Sequence, residues 1–376
     1  MKNKTIIFDA NPLVVNKTGV GMYTERLINA LADNKDIELV GYYYNFLNRK
    51  HPTLPTPNNT TYKAITLVPG KVINMLRRIG IDVPVELLAK KPADIALYPN
   101  FIAQPSLFGA KSYAVLHDLS FITHPEFAAE RNRRDLERFV PKTLKRCAGI
   151  VTVSEVSKKA IIDHYDYPAN KILVTPIPPE KKYEITSDKS IRIIKGLGIT
   201  RPYILFLGTL EPRKNLFGLL EAYRISPELN QKYSLVLAGG MDWKFEDIKQ
   251  KITLMQQSGL SVIHCGYVDR DERAALYQEA SLFTLPSHEE GFGMPILEAM
   301  QYGVPVAISD IPVFHEVAGS GAVYFNQNQP KSIAKTILSV LNDKSMQLSL
   351  ARESEKILKR HSWQDVAKSV LEFMER

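Results

Sequence analysis

The stretch SLFTLPSHEEGFGMPILEAMQYGVPVAISD, residues 281–310, holds an apolar run, a loop with two glycines and paired acids, a helical segment and a second apolar run. SLFTLPS and PVAISD have the continuous hydrophobicity of short strands buried on both faces, the habit of parallel sheets. Pro295 suits the first turn of a helix, so residues 296–302 are predicted helical, and Gly291 and Gly293 let the backbone approach a ligand closely before it. Strand, helix and strand in that order make one crossover unit of a doubly wound α/β sheet.

The same alternation runs outward in both directions. TIIFD, IELVGYYY, ADIALYP, KSYAVLHD, GIVTVS and KILVTP read as strands in the first half, with GVGMYTERLINALAD and VSKKAIIDHY as helices between them. YILFLGT, YSLVLAGG, LSVIHCGYV, SLFTLPS, PVAISD and AVYF read as strands in the second. Two sets predict two Rossmann-like domains, in keeping with 376 residues, too many for one ordinary core. Pro176, Pro178 and Pro179 interrupt both strand and helix. The expected division is therefore 1–180 and 181–360. Ser362 is placed to cap a last helix whose Val366, Val370, Leu371 and Met374 form an apolar stripe, and residues 361–376 are expected to pack back on the first domain.

A charged fraction of 23% and a hydrophobic fraction of 45% describe a globular chain, and no window reaches the roughly 18 uncharged apolar residues of a membrane span. Cys147 and Cys265, one in each half, form neither a disulfide framework nor a metal cage, so a cytoplasmic location is the default expectation. The net charge of +8 is uneven, +7 in residues 1–180 and +1 in the remainder. A basic half fits an anionic neighbour, or ordinary solvated charge. GKVINMLRRIGIDVPVELLAKK mixes Val72, Ile73, Leu76, Ile79, Leu87 and Leu88 with Lys71, Arg77, Arg78, Lys90 and Lys91, and RNRRDLERFVPKTLKR adds further cations. Such segments dock on anionic membranes, or turn the same apolar stripe toward the domain's own sheet. Nucleic acid is not expected, because base-stacking aromatics are not interleaved with the cations.

Ligands of open parallel sheets bind beyond the carboxyl ends of the strands, which directs attention to four loops. In NKTGVGMYTERL, Gly19 and Gly21 precede a helix whose free amides would favour an anionic or hydroxylated group, unless they serve a plain turn. In VLHDLSF a strand delivers His117, whose ordinary pKa near neutrality suits sugar hydrogen bonding or proton transfer; Asp118 could instead pair with it structurally. In FLGTLEPRKNLFGLLEAY a strand ends at Gly208, and Arg213 and Lys214 stand before a helix that Asn215 could cap. Cations at a helix start oppose the macrodipole, so their presence there points to a bound phosphate. In the opening stretch, side chains tilt toward the helix N-terminus, so Glu298 can reach the same open end as Glu290.

With EPRKN followed by GYVDRDERAALYQEASLFTLPSHEEGFGMPILEAMQYGVPVAISD, the chain resembles the retaining glycosyltransferases of family 4 over nearly its whole length. The resemblance implies the GT-B fold, two Rossmann-like domains facing a central cleft, with a nucleotide-sugar donor on the C-terminal domain and an acceptor on the N-terminal one. By position, Arg213 and Lys214 would neutralise the departing diphosphate, and Glu290 would hold hydroxyls of the transferred sugar. The backbone at Gly208, Gly291, Phe292, Gly293 and Met294 would cradle sugar and phosphate, and Glu298 would accept from the ribose. Tyr267 and Val268 would frame the base, His117 matches the family's histidine near the donor sugar, and Gly19 and Gly21 match its glycine loop.

Many members carry Arg directly after the glycine where this chain has Thr209, which leaves Arg213 as the arginine nearest the diphosphate. GTLEPRKN resembles the branch that builds bacterial surface polysaccharides, which implies transfer of mannose from GDP-mannose to a saccharide or lipid-linked acceptor, at the inner face of the plasma membrane if the basic half docks there. The alternatives are a UDP-sugar-dependent member of the family and a GT-B nucleotide-sugar epimerase. No cofactor or metal is expected: the Asp-x-Asp of DRD, Asp269 to Asp271, lies where Asp269 would cap a helix, and the cation pair supplies the charge a metal would bring.

Overall fold

The computed structural model describes residues 4–14, 19–49, 52–240 and 245–376. It divides into two compact units, Met1–Ile177 with His361–Arg376, and Pro178–Arg360. The boundary falls inside the proline-rich stretch, where Pro178 and Pro179 donate no backbone hydrogen bond to either sheet.

The first unit is built on seven strands, β1 (Lys4–Asp9), β2 (Ile37–Tyr44), β3 (Thr60–Ile65), β4 (Ile95–Tyr98), β5 (Lys111–Val115), β6 (Gly149–Thr152) and β7 (Ile172–Val174). They are parallel and lie in the order β3-β2-β1-β4-β5-β6-β7. Six of the seven are the predicted apolar runs. The seventh, β3, was not expected: TTYKAI is polar and half-exposed along its length, because it sits at the sheet edge and needs little hydrophobic cover. Ile6, Ile7 and Phe8 of β1 are fully buried, as a strand covered on both faces must be.

The helix Gly19–Leu31 buries Tyr23, Leu27, Ile28 and Leu31 in this unit. Its first turn contains Gly19 and Gly21, which corrects their placement in a loop before the helix; Asn16, Lys17 and Thr18 lie outside the described residues. The closing helix, Trp363–Glu375, packs beside it. Ser362 and Asp365 form a reciprocal capping box at its start, Val366, Val370 and Met374 are buried, and the Tyr113 hydroxyl of β5 donates to the Met374 carbonyl at 3.1 Å. Gly149 of β6 is there for space: a Cβ would lie 2.5 Å from the Phe373 ring.

The helix Gly70–Arg78 turns Ile73 and Arg77 inward, and Leu88 of the helix Val85–Ala89 joins the core. Of the apolar residues expected on a docking stripe, Ile73 and Leu88 are therefore buried within the domain itself, while Ile79 and Leu87 remain exposed. A helix beside a sheet buries its apolar side first, and only the residues left over can face another partner.

The second unit has six strands, β8 (Tyr203–Leu207), β9 (Ser234–Ala238), β10 (Val262–Gly266), β11 (Leu282–Leu285), β12 (Val306–Ser309) and β13 (Val323–Phe325). All are parallel, in the order β10-β9-β8-β11-β12-β13. Strand order changes direction between β8 and β11, as it does between β1 and β4 in the first unit. Loops leaving the carboxyl ends of two such strands diverge to opposite faces and leave a crevice between them.

Candidate functional site

The loops that leave β8 and β11 meet at the crevice of the second unit. The first makes a short turn, Pro212–Lys214, and hands over to the helix Leu216–Arg224 through Asn215, which adopts a left-handed conformation (φ 52°) and accepts from the Gly218 amide at 3.2 Å. Asparagine tolerates that conformation better than other non-glycine residues. The second loop carries Glu290 and ends at Gly293, whose φ of 105° starts the helix Met294–Gln301. A side chain at 293 would be strained and would also bring its Cβ to 2.9 Å from Phe314. The His288 amide donates to the Arg213 carbonyl at 2.9 Å, which ties the two loops together.

Arg213, Lys214 and Glu290, apart in the chain, converge here. The Glu290 carboxylate, 7% exposed, accepts from Arg213 Nη1 at 2.7 Å, from Lys214 Nζ and from Ser287 Oγ at 2.7 Å. Burial alone would raise its pKa, but the adjacent Arg213 and Lys214 charges and the hydrogen bonds from Lys214 and Ser287 outweigh it and hold the group at about 2. Glu290 is therefore ionised throughout the neutral range. One carboxylate absent from the sequence expectations and one backbone carbonyl complete the arrangement: Glu211 accepts from Arg213 Nε at 3.1 Å and Nη2 at 2.7 Å, and the Glu289 carbonyl accepts from Nη1 at 3.0 Å. The signal for Glu211 was present in EPRKN, where an acid stands two residues before Arg213.

Glu298 lies one turn into the helix Met294–Gln301, beside a pocket lined by Arg273, Tyr277, Tyr302, Tyr183 and Glu180. Tyr277 donates its hydroxyl to Glu298 at 2.9 Å, and Arg273 bridges Glu298 at 3.4 Å and Glu180 at 3.3 Å. Burial, and then the Glu298 charge, push the Tyr277 phenol well above 10, so it stays protonated and acts as donor. Neither Arg273 nor Tyr277 was singled out from sequence, since a helix residue that reaches a neighbouring helix leaves no local signature.

Gly291 and Phe292 are buried under the loop, and Met294 and Gly293 form the start of the helix, where unpaired amides favour an anion. Gly208 directly follows β8, and Gly239, after β9, has no room for a side chain because a Cβ would meet the Gly208 carbonyl at 1.9 Å. Tyr267, 68% exposed, and Val268 follow the edge strand β10, two strands from β8, and have no recorded contact with the ion cluster.

His117 belongs to the first unit. Its Nε2 lies 2.9 Å from the Pro99 carbonyl, and a carbonyl only accepts, so Nε2 carries the proton and Nδ1 is left as an acceptor. Burial lowers its pKa against the smaller opposing effects of Pro99 and Asp118, which keeps the ring neutral. The ring stands edge-on to Tyr23 of the helix that begins at Gly19, centroids 5.2 Å apart, so His117 and the glycine turn adjoin one another. Asp118 accepts from the Ser120 amide and hydroxyl at 3.0 and 2.8 Å, so its hydrogen bonds go to that turn, while its charge acts on the imidazole only as a smaller opposing effect.

The DRD carboxylates are both engaged. Asp269 and Glu272 form a capping box, and Asp271 accepts from Tyr183 at 2.9 Å and Lys189 at 2.7 Å. Among the described residues no group of three or more His, Cys, Asp or Glu side chains is gathered as metal ligands would be.

Comparison with known proteins follows the same lines. Residues 188–357 match the family model for glycosyl transferases group 1. The chain is 30% identical to the O-antigen chain mannosyltransferase B of Escherichia coli over 96% of both chains, and 30% identical to the O-antigen chain mannosyltransferase RfbU of Salmonella typhimurium over 54% of both. Among solved structures it is similar to sucrose-phosphate synthase from Thermosynechococcus elongatus, TM-score 0.75 at 16% identity over 99% of this chain and 98% of that one. HepE of Anabaena, solved with UDP and glucose, has a TM-score of 0.73 at 16% identity over 99% of both chains; at such identities the likeness shows the GT-B fold. Near-complete alignment to a glycosyltransferase at this identity, on two parallel-sheet units of that fold, means that the chain belongs to the group 1 glycosyltransferases and is itself a glycosyltransferase.

Proposed function

We propose that this enzyme is a retaining mannosyltransferase that takes mannose from GDP-mannose and passes it to a saccharide or lipid-linked saccharide in cell-surface polysaccharide synthesis, on the cytoplasmic side of the membrane. The observation that carries the reading is the buried Arg213–Lys214–Glu290 cluster at the crevice of a chain related to two O-antigen chain mannosyltransferases. In such a transfer the bond between the sugar's anomeric carbon and the diphosphate oxygen breaks, its electron pair leaves on the diphosphate, and an acceptor oxygen bonds to the same face of the sugar as its proton passes to the departing diphosphate oxygen. The step needs fixed positive potential where the diphosphate's charge grows. Lys214 and the N-terminus of the helix Met294–Gln301 would supply it without a metal. In this reading Glu290 would accept from sugar hydroxyls and Glu298 from those of the ribose.

Incubation with a panel of nucleotide sugars, GDP-mannose and UDP-linked hexoses among them, followed by thermal unfolding, tests the donor. Protection by GDP-mannose at concentrations where UDP sugars give none is the expected result. Protection by UDP sugars alone would replace the donor, and interconversion of free nucleotide sugars would make the protein an epimerase.

An anionic membrane surface is the partner proposed for the first unit. Met75, Ile79, Leu87, Leu107 and Phe108 are exposed there, in the half that carries +7 of the +8 net charge. The buried Glu86 carboxylate accepts from Ser106 and from the Leu107 amide at 3.0 Å, which holds the Leu107–Phe108 turn out toward solvent. No helix among the described residues is long and apolar enough to cross a membrane. Apolar insertion and roughly 1 kcal/mol per nearby cation would together hold such a surface on anionic lipid. Sedimentation with phosphatidylglycerol-containing but not with neutral vesicles, weakened by salt and by Phe108→Ser, is expected; no vesicle binding would remove the membrane from the reading.

A further inference from the structure

At the crevice the two cations Arg213 and Lys214 are already paired with the carboxylates of Glu211 and Glu290. A cation pair read from sequence as a phosphate clamp is thus already neutralised before any donor arrives. The two cations differ in how completely they are occupied. The hydrogen bonds of Arg213 include two to Glu211 Oε1, one to the Glu289 carbonyl and one to Glu290 Oε2. A guanidinium has five N–H donors in a rigid plane, so little of it remains for a phosphate. Among the described residues Lys214 has one recorded partner, Glu290, and an ammonium has three donors that rotate freely.

Resting on the donor reading above, in which Lys214 meets the diphosphate, we propose that Arg213 is a positioning residue for Glu290, aimed by Glu211, and not a second diphosphate ligand. Glu211 grips the Nε–Nη2 edge of the guanidinium, and that grip turns Nη1 onto both the backbone and the carboxylate of the β11 loop. The Glu290 carboxylate is held from opposite oxygens, Oε2 by Arg213 and Oε1 by Lys214 and Ser287. When Lys214 turns two donors toward an incoming phosphate, Arg213 still fixes Glu290, so the carboxylate can accept from sugar hydroxyls without losing its orientation. The bond from the anomeric carbon to oxygen then breaks against Lys214 and the helix N-terminus. Thr209, a residue without charge at the position after Gly208, leaves the assignment of the phosphate to Lys214 uncontested by another arginine there.

The two roles separate by binding alone, with no acceptor required. Calorimetry measures affinity for a nucleoside diphosphate and for its sugar conjugate, GDP with GDP-mannose, or UDP with UDP-glucose if the wild type prefers that pair. Arg213→Gln and Glu211→Gln are expected to leave diphosphate affinity within about threefold of wild type and to weaken the sugar conjugate tenfold or more, because only Glu290's contacts to the sugar are lost. Arg213→Lys should behave as Arg213→Gln, since a point charge does not reproduce the fork. Lys214→Ala should weaken both ligands tenfold or more. If Arg213→Gln unfolds, Glu211→Gln and Arg213→Lys carry the same comparison. A tenfold loss of GDP or UDP affinity in Arg213→Gln, restored by Arg213→Lys, would show that Arg213 binds the phosphate and overturn the proposal. So would unchanged affinity for the conjugate in Glu211→Gln. A wild-type chain that binds neither diphosphate would refute the donor reading itself, and the inference with it.

Discussion

Glu290→Gln is the substitution whose cost can be worked from the structure. The carboxyl is held at about 2 against an ordinary 4.5. By linkage, a depressed acid contributes stability that is present above its unfolded pKa and lost as pH falls through the folded value. Here that amounts to roughly 3 kcal/mol at pH 7, fading between about pH 4.5 and pH 2. An independent estimate agrees, since removing one partner of a buried ion pair leaves an uncompensated charge at about 3–5 kcal/mol. The glutamine keeps the shape but leaves Arg213 and Lys214 facing an amide. For a unit of this size each kcal/mol moves the melting temperature by about 2–4 °C, so a fall of about 6–12 °C is expected at pH 7. The unit should remain folded, because domains commonly hold about 5–15 kcal/mol in reserve. Scanning calorimetry of wild type and variant without ligand, at steps from pH 7 to pH 3, reads both quantities. The gap should be constant above about pH 5 and narrow below it. A variant that melts within 2 °C of wild type at pH 7, or a gap that widens on acidification, would refute the placement of Glu290 between two cations.

Transfer should survive excess chelator, because Asp269 caps a helix and Asp271 is held by Tyr183 and Lys189; a Mg²⁺ or Mn²⁺ requirement abolished by Asp271→Ala would show that DRD binds metal after all. Gly149→Ala should destabilise the first unit by about 1–3 kcal/mol through the Phe373 ring, and Phe373→Ala in the same chain should recover part of that loss; additivity of the two in thermal unfolding would place the closing helix elsewhere. The first unit should also lose stability as pH falls below about 6.5, since His117 is neutral and buried in the folded state and takes up a proton on unfolding. His117→Gln should flatten that slope in a melting series, and an unchanged slope would assign it to other groups.

The elements that sequence alone determined are those set by neighbours along the chain. Alternation of apolar runs and helical segments was enough for two doubly wound sheets, and twelve of the thirteen strands were legible because a strand buried on both faces must be apolar throughout. The helix starts at Asn215, Asp269 and Ser362 were equally legible, since a cap bonds an amide only three residues on. The half-exposed edge strand β3 escaped because its burial depends on its place in the sheet. Tertiary structure alone decided which charges meet. Strand order brings the β8 and β11 loops to one crevice, so Arg213 finds Glu290 across more than seventy residues, and Glu211 turns what reads as a bare cation pair into a set of ion pairs. Likewise Ile73 and Leu88 face inward while Ile79 and Leu87 face out, because the side of a helix that packs on a sheet is chosen by the docked geometry of both, which spacing in one segment does not contain.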